Sequence, residues 1–227
     1  MNCSSEVSAL AQVILSSRTV QQAQPRILQE SKPTTEVNAA NAPLTNLGIA
    51  LNDDGFPLGT VLEAAHLQGM LTGLVTTSRI THATPASFIA HIYDRDLEDK
   101  IAELQVGEGH PMGPVVDVML GGGKCFFFPN TTSGSCRKDT KDVVAIGKKN
   151  GYNVLTDRSG FDALQKGANA TKPYLGVFTS GHMSYEVDRN NSKEPSLLEM
   201  SETALTTLEK WSEEKGTGFF IMIEAAR

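Results

Sequence analysis

Strand-length apolar runs alternate with segments of helical spacing from residue 60 to the last residue of the chain. The apolar runs occupy residues 70–78, 114–123, 152–156, 174–180 and 217–227. The helical patterns occupy residues 60–69, 96–105, 141–151, 158–167 and 196–216. Parallel strands need crossover connections of about this length, usually helices, and a sheet built from them is buried on both faces. The sequence therefore predicts an α/β fold with a mostly parallel central sheet and helices on both faces.

Several helix starts carry local signals. Thr60 is followed three residues later by Glu63, and Ser196 by Glu199. This is the spacing of a capping box, in which each side chain bonds the backbone N–H of the other residue. Thr84 directly precedes a proline, which is favoured in the first turn of a helix, so we expect Thr84 to cap a further helix.

The first 43 residues differ from the rest of the chain. They contain no Phe, Trp or Tyr and are rich in Ser, Gln, Thr, Asn and Ala. A short helix around residues 7–15 is compatible with the pattern, but no sustained period follows it. The sequence therefore predicts a weakly ordered segment at 1–43 and an α/β domain at 44–227. No basic region precedes the apolar stretch, so a signal peptide is not predicted.

The overall charge and hydropathy exclude two classes of protein. The formal net charge is −6, whereas nucleic-acid binding requires clustered Lys and Arg against phosphates. We therefore expect no nucleic-acid partner. No run of eighteen apolar residues occurs in the sequence, so no transmembrane segment is predicted in this chain.

Cysteines and glycosylation triplets bear on the cellular compartment. Cys125 and Cys136 bracket a loop of turn-forming residues, and a disulfide there would stabilise the fold by roughly 2–3 kcal/mol; two free thiols are the alternative. The N-x-[ST] triplets make Asn130, Asn169 and Asn190 glycosylation candidates. Together these features point to an oxidising lumen or the extracellular space, although the missing signal peptide conflicts with that expectation.

Three potential metal ligands stand near the predicted carboxyl ends of strands. They are His82, Thr84 and Glu224. In parallel sheets, functional groups gather at this edge, and an imidazole, a hydroxyl and a carboxylate offer N and O ligands suited to Mg²⁺ or another hard cation. The alternatives are that His82 is a surface or capping residue and that Thr84 is simply a helix cap. A carboxylate after five apolar residues requires water or a partner.

Arg95 is a candidate anion ligand. A guanidinium can grip an anion with two N–H groups at once. The alternative is an exposed arginine paired with Asp94, Asp96 or Glu98. The glycines at 121–123 are interpreted as a turn, because they match neither of the usual phosphate-binding glycine patterns.

From about residue 43 onward the chain resembles alkaline phosphatases, especially the eukaryotic ones. The matching stretches are GTVLEAAHLQG, TGLVTTSRITHATPASFIAH, DVMLGGG, HMSYEVDR, PSLLEMSETAL and FFIMIEAAR. The resemblance implies metal-assisted hydrolysis of small phosphomonoesters with two Zn²⁺, one Mg²⁺, a phosphoserine intermediate and a homodimeric state. It assigns His82, Thr84 and Glu224 to Mg²⁺ and Arg95 to the phosphate, and it implies the secretory pathway, a vacuolar lumen or the extracellular space.

The sequence also departs from the family pattern. Ser31 occupies the register of the nucleophile, but its neighbours do not match. The zinc ligands of the family lie downstream of the Glu224 segment, and His110 and His182 do not match their motifs. We therefore expect an incomplete chain that is weakly active or inactive alone. The alternatives are a non-catalytic module that binds a metal or an anion, and a structural fragment that associates through bare apolar surface.

Overall fold

A computed structural model describes residues 10–16, 48–52 and 55–227, the first of these ranges by its backbone alone. Its centre is a six-stranded sheet with the order β1-β6-β2-β3-β5-β4. The strands are β1 Leu10–Ser16, β2 Leu71–Arg79, β3 Val118–Gly122, β4 Asn153–Leu155, β5 Tyr174–Val177 and β6 Phe219–Ala225. Strands β2 to β6 are mutually parallel, and β1 pairs antiparallel with β6 at one edge. The predicted, mostly parallel sheet is confirmed.

Helices cover both faces of the sheet. They are α1 Val61–Leu67, α2 Ala83–Ala86, α3 Glu98–Gln105, α4 Val143–Lys149, α5 Arg158–Asp162 and α6 Leu197–Lys215. On β2, Leu74 packs into the core cluster that contains residues of α1, α3 and α4, whereas Val75 packs into the cluster that contains residues of α5 and α6. Successive strand residues point to opposite faces, so a strand covered on both sides must be apolar throughout.

The local capping signals are mostly correct. Both capping boxes are present, with Thr60 and Ser196 as the N-caps of α1 and α6. The predicted cap at Thr84 is wrong, because His82 holds the N-cap position of α2 and Thr84 lies inside the helix. A proline is tolerated throughout the first helical turn, since those N–H groups have no partner within the helix. The proline therefore does not specify which preceding residue is the cap.

Two other local predictions fail. The helix considered around 7–15 is wrong, because residues 10–16 form strand β1, which runs from Leu10 opposite Ala225 to Ser16 opposite Phe219. The open edge of β6 supplies backbone partners that a local pattern does not reveal. The single helix predicted at 158–167 is interrupted, since α5 ends at Asp162 and Lys166 has a φ of 54°. The remainder of the predicted weakly ordered segment lies outside the described residues.

A disulfide joins Cys125 to Cys136, and the loop between them begins after β3. Arg137, next to this disulfide, is buried and forms ion pairs with Glu103 at 2.6 Å and with Asp139 at 2.7 Å. The loop is thereby attached to α3, which contains Glu103. None of the helices in the described part of the chain is both long and apolar enough to cross a membrane.

Candidate active site at the carboxyl ends of the strands

Parallel pairing of β2 with β6 places Thr76 opposite Glu224, near the carboxyl end of both strands. Glu224 is only 2% exposed. Its Oε2 accepts hydrogen bonds from Thr76 Oγ1 at 2.7 Å and from Ser78 Oγ at 3.0 Å. These hydroxyls are the partners that a buried carboxylate requires. Both bonds end on Oε2, which leaves Oε1 available to a further ligand.

His82 follows β2 and is partly buried. Its Nε2 lies 3.3 Å from Arg95 Nη2, and its buried Nδ1 has no partner within residues 55–227 or the other described ranges. Burial lowers the pKa of His82, and the positive charges of Arg79 and Arg95 lower it further, against an opposing effect of Glu224. The imidazole is therefore held neutral, the form that binds a metal ion.

Arg95 lies in a turn before α3 and is partly buried. In the described part of the chain, no carboxylate lies within ion-pair distance of its guanidinium, and its polar contact is with His82. The pairing with Asp94, Asp96 or Glu98 considered from the sequence is therefore not found. Glu98 instead pairs with Arg79 at 2.7 Å. The guanidinium of Arg95 therefore has N–H groups that can donate hydrogen bonds to an anion.

An ion-pair network of Arg79, Glu98 and His182 lies beside His82 and was not predicted from the sequence. Glu98 accepts hydrogen bonds from Arg79 Nε and, at 2.6 Å, from Thr81 Oγ1. Arg79 Nη1 lies 2.6 Å from His182 Nε2. Since a guanidinium only donates, Nε2 is the acceptor and Nδ1 of His182 carries the proton. The 3.3 Å approach of the Arg79 backbone N–H to that Nδ1 is then not a hydrogen bond.

His182 lies in the positively charged surroundings of this corner. Its ring lies 5.3 Å from the His82 ring in an edge-on arrangement. Burial lowers the pKa of His182 to about 4, and Arg79 and Arg227 contribute in the same direction. His182 is therefore neutral at physiological pH. The sequence offered only weak signals for this network, namely polar residues directly after a buried strand and a histidine in the segment after β5.

The remaining predicted site residues lie in several places. Thr84 is partly exposed in α2, and its backbone oxygen accepts a hydrogen bond from Ser87 Oγ at 2.7 Å. Asn130, Asn169 and Asn190 are exposed at the surface, as glycosylation requires. Ser31 lies outside the described residues.

The residues near the end of β2 and β6 fit a metal ion. Glu224 Oε1 and the Thr84 hydroxyl are oxygen donors. Because a guanidinium only donates, the lone pair of the neutral His82 ring is on Nε2, which faces Arg95, and the buried, unpartnered Nδ1 carries the proton. Carboxylate and hydroxyl oxygens suit Mg²⁺, and the imidazole extends the possible range to transition metals.

The sequence matches known proteins over most of its length. A family model described as alkaline phosphatase matches residues 24–227. The alkaline phosphatase of Schizosaccharomyces pombe is 46% identical over 184 residues, which cover 80% of this chain and 34% of that protein. The repressible alkaline phosphatase of Saccharomyces cerevisiae is 45% identical over 192 residues, with the same two coverages of 80% and 34%. The chain thus spans about a third of the length of these curated relatives.

Solved structures show the same relationship. Alkaline phosphatase from Thermus thermophilus superimposes with a TM-score of 0.61 at 39% identity, over 74% of this chain and 33% of that one. The enzyme from the Antarctic bacterium TAB5 gives a TM-score of 0.59 at 31% identity, over 74% and 44%. A variant of the TAB5 enzyme, in which a histidine is replaced by glutamate and Mg is bound in the M3 site, gives a TM-score of 0.57 at 32% identity. The match covers 74% of this chain and 43% of that one. Sequence and fold agree, and the chain belongs to the alkaline phosphatase family.

Proposed function

We propose that this chain contributes the Mg²⁺-binding and phosphate-binding part of an alkaline phosphatase that hydrolyses small phosphomonoesters. The observation that carries the proposal is the approach of His82 Nε2 to Arg95 Nη2 at 3.3 Å. It combines a guanidinium that has no carboxylate partner in the described ranges with an imidazole whose other nitrogen is buried and unpartnered. A carboxylate, Glu224, lies close enough to influence the charge of that imidazole.

His82, Thr84 and Glu224 would hold the Mg²⁺. When bound, metal ions neutralise charge and polarise oxygens at a phosphoryl group. The hydroxyls of Thr76 and Ser78 hold the Glu224 carboxylate in place through Oε2. Support for a metal also comes from the TAB5 variant, in which a histidine is replaced by glutamate and Mg is bound in the M3 site.

Arg95 would bind the phosphate. Its N–H groups are free to donate to two non-bridging oxygens at once, which gives a short, charge-assisted contact. Because this contact is with the phosphate and not with the alcohol, the proposal names small phosphomonoesters as a class. Ser31 is proposed as the nucleophile only from its position in the family register. Zn²⁺ is likewise proposed from the family, whose zinc-ligand motifs have no match in this sequence.

The compartment and the assembly are proposals as well. The disulfide between Cys125 and Cys136 supports the secretory pathway, a vacuolar lumen or the extracellular space, where such bonds persist. Asn130, Asn169 and Asn190 are proposed as glycan acceptors in that compartment. A homodimer is proposed by analogy with complete family members.

Calorimetry tests the Mg²⁺ site without relying on activity. The full chain is titrated with Mg²⁺, then Glu224→Gln is compared with Glu202→Gln, a change of the same kind on the exposed surface of α6. We expect Glu224→Gln to abolish binding and the control to retain it. Equal binding by both variants would refute the assignment of Glu224.

Turnover of an aryl phosphate at alkaline pH, with Zn²⁺ and Mg²⁺ present, tests the catalytic part of the proposal. Hydrolysis that is lost in both Ser31→Ala and Arg95→Ala supports it. The second candidate is a non-catalytic Mg²⁺- and anion-binding role, which is favoured because the described corner contains Glu224 and Arg95 but no matching zinc motif. Mg²⁺ binding without turnover would select that candidate.

A further inference from the structure

A second cluster of potential metal ligands joins three separate segments of the chain. Glu63 lies in α1, His91 follows α2, and His110 lies in the loop after α3. Glu63 Oε1 is 2.7 Å from His91 Nε2 and 3.1 Å from His110 Nε2. The ligand atoms of all three residues lie within 4.8 Å of one another. Within the described ranges, no hydrogen bond or ion pair links this cluster to His82, Arg95 or Glu224.

The cluster is almost inaccessible to water and its members are held from behind. Glu63 and His110 are each 5% exposed, and the His91 side chain is 9% exposed. Glu63 Oε2 accepts a hydrogen bond from the backbone N–H of Thr60 at 2.7 Å. His91 Nδ1 lies 3.0 Å from the backbone oxygen of Ala50. Outer hydrogen bonds of this kind orient the ligands of metal sites and fix which nitrogen of a histidine is free.

The position of the proton on His91 implies that a positive charge lies between His91 and Glu63. A carbonyl oxygen only accepts hydrogen bonds, so Nδ1 of His91 must carry a proton and donate a hydrogen bond to the backbone oxygen of Ala50. In a neutral His91, Nε2 then carries only a lone pair, which faces the carboxylate oxygen of Glu63 at 2.7 Å. Two lone pairs at that distance repel each other unless a cation lies between them. That cation is either an additional proton or a metal ion.

Glu63 and His110 are held in different protonation arrangements. Burial raises the pKa of Glu63, but the hydrogen bond from Thr60 and positive charge on the side of His91 and His110 outweigh it, and the net pKa lies below the ordinary value. The carboxylate is thus in the form that binds metals. His110 Nδ1 accepts a hydrogen bond from the backbone N–H of Met112 at 3.2 Å, so without a metal its Nε2–H donates to Glu63.

We propose that Glu63, His91 and His110 form a structural site for a divalent transition-metal ion of the Zn²⁺ type, separate from the site that contains Glu224. Two imidazoles and one carboxylate are a ligand set that Zn²⁺ accepts and Mg²⁺ does not favour. The metal replaces the cation between His91 and Glu63. At His110 the proton moves from Nε2 to Nδ1, which gives up the long bond with Met112. The three ligand atoms then separate slightly, because metal–ligand bonds measure about 2.0–2.2 Å.

The consequence of this site would be structural. The ion would join the start of α1, the segment after α2 and the loop after α3. Through Ala50 it would also fix the short stretch 48–52 that pairs with Ile92. A metal that binds only the folded chain stabilises it in proportion to its concentration.

Cobalt titration tests the proposal, because Co²⁺ substitutes for Zn²⁺. Its absorption of visible light is strong in a site of low coordination number and weak in water. The full chain with Glu224→Gln serves as the background, so that the proposed Mg²⁺ site does not contribute. We expect one equivalent of Co²⁺ in this background and none after His91→Asn is added. His66→Asn, in α1 but outside the cluster, should retain the equivalent. Identical stoichiometry with and without His91→Asn overturns the proposal.

A second measurement needs no substitution in the cluster and therefore does not depend on whether a variant folds. Imidazole nitrogen resonances of the parent chain are recorded by NMR before and after one equivalent of Zn²⁺. We expect the Nε2 signals of His91 and His110 to shift together, and the proton to appear on Nδ1 of His110. Unchanged signals of both histidines overturn the site, whatever the result of the Mg²⁺ calorimetry at Glu224.

Discussion

Arg79 and Glu98 form an ion pair at 2.7 Å that links the end of β2 to the start of α3. The same carboxylate accepts a hydrogen bond from Thr81 at 2.6 Å. Glu98 is therefore fully engaged and does not neutralise Arg95, which stands three residues before it in the sequence. This arrangement gives Arg79 a structural role and, within the described ranges, leaves Arg95 without a carboxylate partner.

Removing the charge of Glu98 should destabilise the fold. Glu98→Gln leaves Arg79 partly buried without its counter-ion, and hydrogen bonds to charged groups contribute about 1.5–3 kcal/mol. We expect the free energy of unfolding to fall by about that amount in a urea titration. Asp96→Asn, on the exposed turn next to it, should change the stability by about 0.5 kcal/mol or less. Equal effects of both changes would contradict the special role of Glu98.

Arg95→Ala should weaken the binding of inorganic phosphate by about 10–150-fold, the factor that corresponds to a charged hydrogen bond of 1.5–3 kcal/mol. Isothermal calorimetry of phosphate binding is the measurement. Arg95→Lys should recover only part of the loss, since a lysine cannot donate two parallel bonds. Arg189→Ala controls for the loss of one positive charge, because Arg189 is already paired with Glu186 at 2.7 Å. Phosphate affinity that is insensitive to Arg95→Ala contradicts the assignment.

Gly122→Ala should disrupt the end of β3 beside the candidate site. A Cβ atom at this position would lie 2.4 Å from the backbone oxygen of Gly181, which is too close for any stable contact. Overpacking of this kind costs about 1–3 kcal/mol. Thermal unfolding should show the loss for Gly122→Ala and almost none for Gly181→Ala, whose Cβ would have no neighbour within 4 Å. Similar Tm values for the two variants would show that the contact is not limiting.

Acid should weaken the start of α6. Arg158 lowers the pKa of Glu199 to about 2, with a further contribution from the Ser196 N–H of the capping box. Because the folded-state pKa is depressed, this carboxylate stabilises the fold above its ordinary pKa of 4.5, and the contribution is lost as the pH falls toward 2. Urea unfolding from pH 6 to 2.5 should be less pH-dependent in Glu199→Gln. An unchanged slope would indicate that other carboxylates dominate.

Local signals were enough to predict part of the fold. The capping boxes at Thr60 and Ser196 involve residues three positions apart, so the sequence contains everything that forms them. The contact between Arg79 and His182 joins residues 103 positions apart, and no local pattern specifies it. Strand β1 was missed for the same reason, because its partner β6 is the last strand in the chain.

The candidate site was anticipated in its residue types more than in its contacts. Position at or just beyond the end of a strand selected His82 and Glu224 as candidates, since parallel strands bring their carboxyl ends to one edge. The hydroxyls of Thr76 and Ser78 that hold Glu224 were not foreseen, because they belong to an apparently buried strand. The Glu63 cluster was likewise hidden, since three segments contribute one ligand each.

The position of β6 between β1 and β2 has a consequence for the order of folding. Thr76 and Glu224 are 148 residues apart, so their contact closes a long loop whose entropy must be lost before the contact forms. A sheet dominated by such distant pairings has a high contact order and folds slowly. The carboxylate of the candidate site therefore reaches its hydroxyl partners only when β6 docks, and until then β2 exposes an unpaired edge to neighbouring chains.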